Sequence, residues 1–413
     1  MKILLIQPTG DKLGHYSVYF SKLPQALATL GHDVTVFTNH LTPSLHLTEN
    51  PKFEVIMYKD GKYKFEHIDK EKNVKPGRYW LNYFINSLII TYQGLRYSVK
   101  KSFDVVYISD SEFAMAALAL KVRGLRKLPP ILMQINASNF AFSEYPGGLI
   151  KKSYKTVQKE IFRSVFGRQL SAVSILGKWH EERLRKQLRI SQDFPIEIIP
   201  DGGGDTDQQF VDKTEARQYL DLPADKTIFL FLGILRRDKG LETLSEALKQ
   251  VSCADADFHM VVAGHPFDYS ESQIKSMFLS APSLAAKVSL SLDYVAEKDL
   301  KYYYGAADAL ILPYSNEYKG STGPLMKGVC TFGLPAIVSD LADMGNLTKA
   351  NNLGFTFEPE NVEGLADAIQ CFINASSEKR NSICSNAMKF GNENSWEDMA
   401  QRYESAFEKL LIK

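Results

Sequence analysis

Short apolar runs recur along this chain, each followed by a stretch with helical spacing. That alternation constrains the fold more than any other feature. KILLIQ (Lys2–Gln7) leads through the loop PTGDKLGHYS into VYFSKLPQALATLG, where Val18, Leu23, Leu27 and Leu30 share one face and Gly31 stops the helix. HDVTVFTN is the next strand. FDVVYISD (Phe103–Asp110), PPILMQIN (Pro129–Asn136), QLSAVSILG (Gln169–Gly177) and PIEIIPDGGG (Pro195–Gly204) continue the series. Strands that are apolar along their whole length are buried on both faces, so the pattern predicts a parallel sheet covered by helices on each side.

The alternation then restarts. KTIFLFLGILRRDKG (Lys226–Gly240) is a strong strand with a basic loop after it, followed by the amphipathic helix LETLSEALKQV. DFHMVVAGHP, AADALILPYS, GLPAIVSD and GFTFEP complete a second set. An α/β chain of two doubly wound halves follows. At 413 residues it has length for two cores. The expected division is 1–203, 204–392 and a terminal segment 393–413, in which SWEDMAQRYESAFEKLLIK reads as an amphipathic helix capped by Ser395.

Charge and cysteine content exclude some classes. A net charge of +1 gives no support to nucleic-acid binding. Cys253, Cys330, Cys371 and Cys384 form no CxxC pair, which argues against a zinc or thioredoxin-type motif and suits a reduced, cytoplasmic protein. The apolar run in MKILLIQPTG is too short for a signal peptide and reads as a first strand. YWLNYFINSLIITYQGL is broken by Asn, Ser and Gln and falls short of the ~20 apolar residues of a membrane span.

In open parallel sheets, ligands bind beyond the carboxyl ends of the strands. Three segments of the second half share that edge: GILRRDKG, AGHPFD and PYSNEYKGSTG. The first holds Arg236, Arg237 and Lys239 within four residues. The last places Gly320, Ser321, Thr322 and Gly323 before a helical run, where free backbone N–H groups attract an anion. Cations facing a helix N-terminus suit a diphosphate. There is no Walker motif and no GxGxxG fingerprint.

These segments, in this order, resemble the retaining family-4 glycosyltransferases of the GT-B fold. GHYSVYFSKLPQALATLGHDVTVFTN is similar to that family's glycine-rich opening loop, first helix and second strand. IEIIPDGGGDTDQQF is similar to its crossover segment, and FLFLGILRRDKGLETLSEAL, VVAGHP, AADALILPY and FGLPAIVSD to its later motifs. The resemblance spans almost the whole chain. It implies two Rossmann-like domains facing a central cleft and a last helix that crosses back to the first domain. It further implies transfer of a hexosyl unit, with retention and without a metal, from a nucleotide-diphosphate sugar, UDP or GDP being the expected carrier. No other cofactor is implied. The DSE at Asp110–Glu112 and the DAD at Asp255–Asp257 are poor metal motifs.

By the resemblance, Arg236 and Lys239 stabilise the leaving diphosphate, with Arg237 as alternative. Gly14 and Gly233 give backbone approach to the donor. Ser321, Thr322 and Gly323 bind phosphate or sugar hydroxyls. Gly264, His265 and Tyr294 line the base or sugar. His15, Asn136, Ser138 and Asn139 lie toward the acceptor. The family usually carries two glutamates eight residues apart; those positions are Gly320 and Gly328 here, and Glu317 is the nearest substitute.

The acceptor is expected to be a glycan, a lipid-linked sugar or a small molecule. Residues 151–189 hold eleven Lys/Arg against three Glu, and 79–97 are rich in aromatic residues, so a peripheral contact with the inner membrane face is a further expectation. Two rival classes remain open: an epimerase or phosphorylase of the same fold, and a catalytically degenerate partner subunit.

Overall fold

The computed structural model describes residues 1–8, 15–38, 52–58, 76–109, 118, 128–135, 149–203, 210–253, 257–318 and 323–412. The chain divides into two compact units, one of Met1–Pro200 with Trp396–Lys413, the other of Asp201–Ser395.

The first unit is built on β1 (Lys2–Gln7), β2 (Asp33–Thr38), β3 (Glu54–Met57), β4 (Val105–Ile108), β5 (Ile131–Gln134), β6 (Ala172–Ile175) and β7 (Ile196–Ile198). They form one sheet in the order β3-β2-β1-β4-β5-β6-β7, and every pairing is parallel. Because side chains alternate across a strand, Leu4 and Ile6 join one core with Ile90 and Leu95 of helix Pro76–Lys100. Ile3 and Leu5 join another with Leu23 and Leu27 of helix His15–Thr29.

The terminal helix Trp396–Leu411 packs on that second face. Met399, Tyr403, Phe407 and Leu410 recur at helical spacing and are buried. Trp396 meets Tyr19 edge-on at 5.3 Å, and Tyr403 meets Tyr107 at 5.2 Å. The Tyr403 hydroxyl lies 3.0 Å from Ser174 Oγ. Each large apolar side chain buried this way contributes roughly 1.5–3 kcal/mol, which fixes the end of the chain to the first unit.

The second unit contains β8 (Thr227–Leu232), β9 (Phe258–Ala263), β10 (Val288–Ser291), β11 (Ala309–Leu312), β12 (Ala336–Ser339) and β13 (Gly354–Phe357). Their order is β10-β9-β8-β11-β12-β13, again all parallel. The central strands match the apolar runs of the sequence. Two edge strands, β3 and β10, do not stand out there, because EVIM and VSLS are short and only partly buried. The order reverses between β1 and β4 in one sheet and between β8 and β11 in the other. Such switch points leave a crevice at the carboxyl ends of the strands.

None of the described helices is long and apolar enough to cross a membrane.

Candidate active site

At the β8 end, backbone dominates. Gly233 and Gly264 have φ of +142° and +144°. Gly233 N–H donates to Ala263 O at 3.0 Å, and Gly264 N–H donates to Ser291 O at 2.8 Å. A Cβ on Gly264 would stand 1.8 Å from the Gly233 carbonyl oxygen. The two loops therefore run side by side with no side chain between them. They stay paired as Leu235 N–H donates to His265 O (2.9 Å) and Phe267 N–H to Leu235 O (3.0 Å).

The basic loop then closes into a single 3₁₀ turn, Arg237–Lys239, ended by Gly240 at φ +70°. A Cβ on Gly240 would stand 1.8 Å from Pro313 O. This close approach sets the turn against the segment after β11, where Ser315 N–H donates to Asp238 O at 3.1 Å. Groups from β8 and β11 thus meet at the switch point of the second sheet.

The three cations of the loop stand in different surroundings. Arg236 donates from Nε and Nη2 to the two carboxylate oxygens of Asp238, at 3.0 and 2.9 Å. Arg237 is more exposed, 63% by side chain. Its N–H donates to Asp268 (3.0 Å), and its guanidinium lies 5.3 Å over the ring of Tyr269. Tyr269 in turn donates to Glu242. Lys239 is 8% exposed, and its Nζ faces the rings of Tyr314 and Tyr318, 3.7 and 4.2 Å from their centroids. Burial, with Arg236 adding repulsion and Asp238 opposing it, pushes the Lys239 amine down to about 7. Arg236 and Lys239, marked as the diphosphate cations by the sequence, are brought together. Arg237 is turned toward Tyr269.

The remaining donor-side candidates are spread along the strand ends. His265 and Glu317 are exposed, as is Tyr294 at 60%. Glu317 N–H donates to Ser315 Oγ at 3.3 Å. Gly323 opens a helix of only four residues, Gly323–Met326, which runs into the π-turn Lys327–Thr331. Gly14, Asn136, Ser138, Asn139, Ser321 and Thr322 lie outside the described residues. His15 starts a helix, and its side chain is likewise outside the description.

Several residues went unmarked in the sequence. Asp238 sits inside the basic run, but its pairing with Arg236 depends on the turn. Tyr314 and Tyr318 bracket SNE four residues apart, and only the proximity of the two loops makes them Lys239's neighbours. In the first unit, Gln7, Ser109 and Gln134 end β1, β4 and β5 on one face and are 4%, 6% and 3% exposed. Gln134 accepts from the Tyr107 hydroxyl at 2.6 Å. Among the described residues, Gln7 Nε2, Ser109 Oγ and Gln134 Nε2 find no hydrogen-bond partner.

Gly328, the second of the two glycines that replace family glutamates, is packed. A Cβ there would lie 2.2 Å from Leu310 Cδ1 and 3.1 Å from Tyr304 Cε1.

Residues 212–390, inside the second unit, match the profile of the family described as Glycosyl transferases group 1. The alpha-D-kanosaminyltransferase of Streptomyces kanamyceticus is 22% identical over 247 residues, 58% of this chain and 60% of that protein. The chain thus spans about three fifths of the length of that curated relative. Among solved structures, sucrose-phosphate synthase from Thermosynechococcus elongatus superposes over 100% of both chains, with TM-score 0.75 at 18% identity. HepE of Anabaena, crystallised with UDP, superposes over 99% of this chain and 100% of its own, with TM-score 0.70 at 15% identity. Two parallel Rossmann-like sheets with these neighbours make the fold GT-B.

Proposed function

We propose that the protein is a retaining, metal-independent glycosyltransferase. It moves a hexosyl unit from a nucleotide-diphosphate sugar, with UDP or GDP as carrier, to a glycan, a lipid-linked sugar or a small-molecule acceptor. The observation that carries this is Lys239: a buried amine without a carboxylate partner among the described residues, at the switch point of a Glycosyl transferases group 1 domain. A buried cation left without a counter-ion is costly, and a diphosphate meets that need.

In the chemistry proposed, the bond between the sugar's anomeric carbon and the β-phosphate oxygen lengthens first. Lys239 and the remaining edge of Arg236 take up the negative charge on the leaving diphosphate. The acceptor hydroxyl attacks from the same face and passes its proton to that phosphate. No separate nucleophile or base is then required. Gln7, Ser109 and Gln134 suit an uncharged, hydroxyl-rich acceptor in the first unit, since they carry amide and hydroxyl groups and no charge.

Thermal-shift titration with UDP, GDP, ADP, TDP and CMP compounds and their sugars, without metal, tests the donor. A shift with one diphosphate supports the reading and names the base. A second reading, a degenerate partner subunit, is motivated by the glycines Gly320 and Gly328 at the family's two glutamate positions, and well-folded protein that shifts with none of them selects it. The cytoplasmic membrane-surface placement rests on the basic segment 151–189; co-sedimentation with anionic liposomes tests it.

A further inference from the structure

The segment after β11 supplies two tyrosines that the proposed reaction does not use as reagents. Tyr314 and Tyr318 are 1% and 7% exposed, and their rings lie 4.5 Å apart at 56°. Between them they cover the Lys239 ammonium. A buried ammonium is ordinarily fixed by a carboxylate or by acceptors for its three N–H groups. Among the described residues, Lys239 Nζ has neither; its contacts are the two ring faces. Asp238, the nearest carboxylate in sequence, is engaged by Arg236.

We propose that Tyr314 and Tyr318 are positioning residues that hold the Lys239 side chain without supplying a counter-ion, leaving its amine to pair with a nucleoside diphosphate. The inference rests on the donor-site reading above. Ring faces attract a cation through their quadrupole and supply no negative charge, so they fix the side chain while leaving its charge unopposed.

A consequence separates this from mere packing. With the amine lowered to about 7, protein without nucleotide carries it largely neutral above that pH. A bound diphosphate supplies the missing counter-charge and raises the amine again, so binding draws one proton from the buffer onto Nζ. The other groups that face it are Arg236 and Asp238 from the turn, the two tyrosines from the β11 segment, and Asp201 near Tyr318. Burial holds the Tyr318 hydroxyl well above its usual range. At about pH 8 a nucleoside diphosphate is itself fully ionised.

The test is calorimetric titration of UDP and of GDP at about pH 8 in buffers of different ionisation enthalpy. The expected result is uptake approaching one proton per nucleotide bound. Lys239→Met removes the uptake. Tyr318→Leu and Tyr314→Leu weaken binding by ~10-fold and reduce the uptake, whereas Tyr318→Phe, which keeps the ring face, restores both. Tight binding with no proton uptake overturns the inference and leaves the donor site standing. So do folded leucine variants that bind like wild type. If the leucine variants do not fold, the comparison of Tyr318→Phe with Lys239→Met still decides. Wild-type protein that binds neither nucleotide overturns the donor-site reading together with this one.

Discussion

Arg236 grips Asp238, two residues further on, through both carboxylate oxygens at 3.0 and 2.9 Å. One edge of the guanidinium is thereby closed, and a phosphate can use only the other. Two effects of removing Asp238 oppose each other. Loss of a nearby negative charge favours an anion, but Arg236 is 38% exposed by side chain, so screening reduces this to about 1 kcal/mol. Loss of the grip frees the Arg236 rotamers, at about 0.5–1.5 kcal/mol on binding. In the ground state the two nearly cancel. Orientation still matters when charge develops on the leaving group. Asp238→Asn should therefore change the Kd for the nucleoside diphosphate by less than about threefold and lower kcat by roughly tenfold. Separate kcat and KM values check this; a variant with unaltered kcat refutes it.

Lys239 should cost stability in return for its charge. The unfolded amine releases its proton near 10.5, whereas the folded one does so at about 7. Between those values the unfolded chain binds more protons, so stability rises with pH, and the penalty is fully present below about 7. The shift sets a ceiling of about 5 kcal/mol, part of which the tyrosine faces offset. Lys239→Met should raise Tm at neutral pH by the equivalent of about 2–3 kcal/mol, with the advantage fading toward pH 10.5. It should also abolish transfer. Thermal unfolding between pH 6 and 10, paired with a turnover assay, measures both. A destabilised Met variant at neutral pH contradicts the prediction.

Much of this was legible because burial and backbone demand particular residues locally. TIFLFL can only be a strand covered on both faces, and the glycine after it marks the point where two loops run together. The basic run after Gly233 announced cations at a strand end. What sequence could not give was which cation lies free. Arg236 and Lys239 look equivalent in RRDK; the 3₁₀ turn folds Asp238 back onto one and pushes the other between Tyr314 and Tyr318, some 75 residues away in sequence. Partners of that kind depend on distance between strands, and no local spacing encodes it. The same holds for Gln7, Ser109 and Gln134, which become neighbours only because β1, β4 and β5 are adjacent.

Gly264 offers a backbone test of the site. At φ +144°, with a Cβ position 1.8 Å from the Gly233 carbonyl oxygen, even alanine forces the paired loops apart. Gly264→Ala should destabilise the protein by about 3–5 kcal/mol. It should also weaken nucleotide binding, because Leu235 and Phe267, which join the loops by backbone hydrogen bonds, must shift. Denaturant unfolding and UDP titration read the two effects. An alanine variant with wild-type stability shows that the loops are not held as close as described.

Restoring a glutamate at position 328 is the substitution the family resemblance invites, and the packing opposes it. A single methyl carbon there would already lie 2.2 Å from Leu310 Cδ1 and 3.1 Å from Tyr304 Cε1. Leu310 is fully buried in the middle of the sheet and Tyr304 is 1% exposed, so neither can swing into solvent. A carboxylate added at this position would enter the core of the second unit, where an unpaired charge costs several kcal/mol beyond the overpacking. Gly328→Ala should lose about 1–3 kcal/mol. Gly328→Glu should lose more than about 4 kcal/mol and accumulate as insoluble protein, with no gain in transfer. Soluble yield, Tm and turnover of the two variants settle the matter. A folded Gly328→Glu protein with raised activity would mean that the core opens at this point and that its glycine marks lost catalysis. The expected outcome instead ties the glycine to the packing of Leu310 and Tyr304.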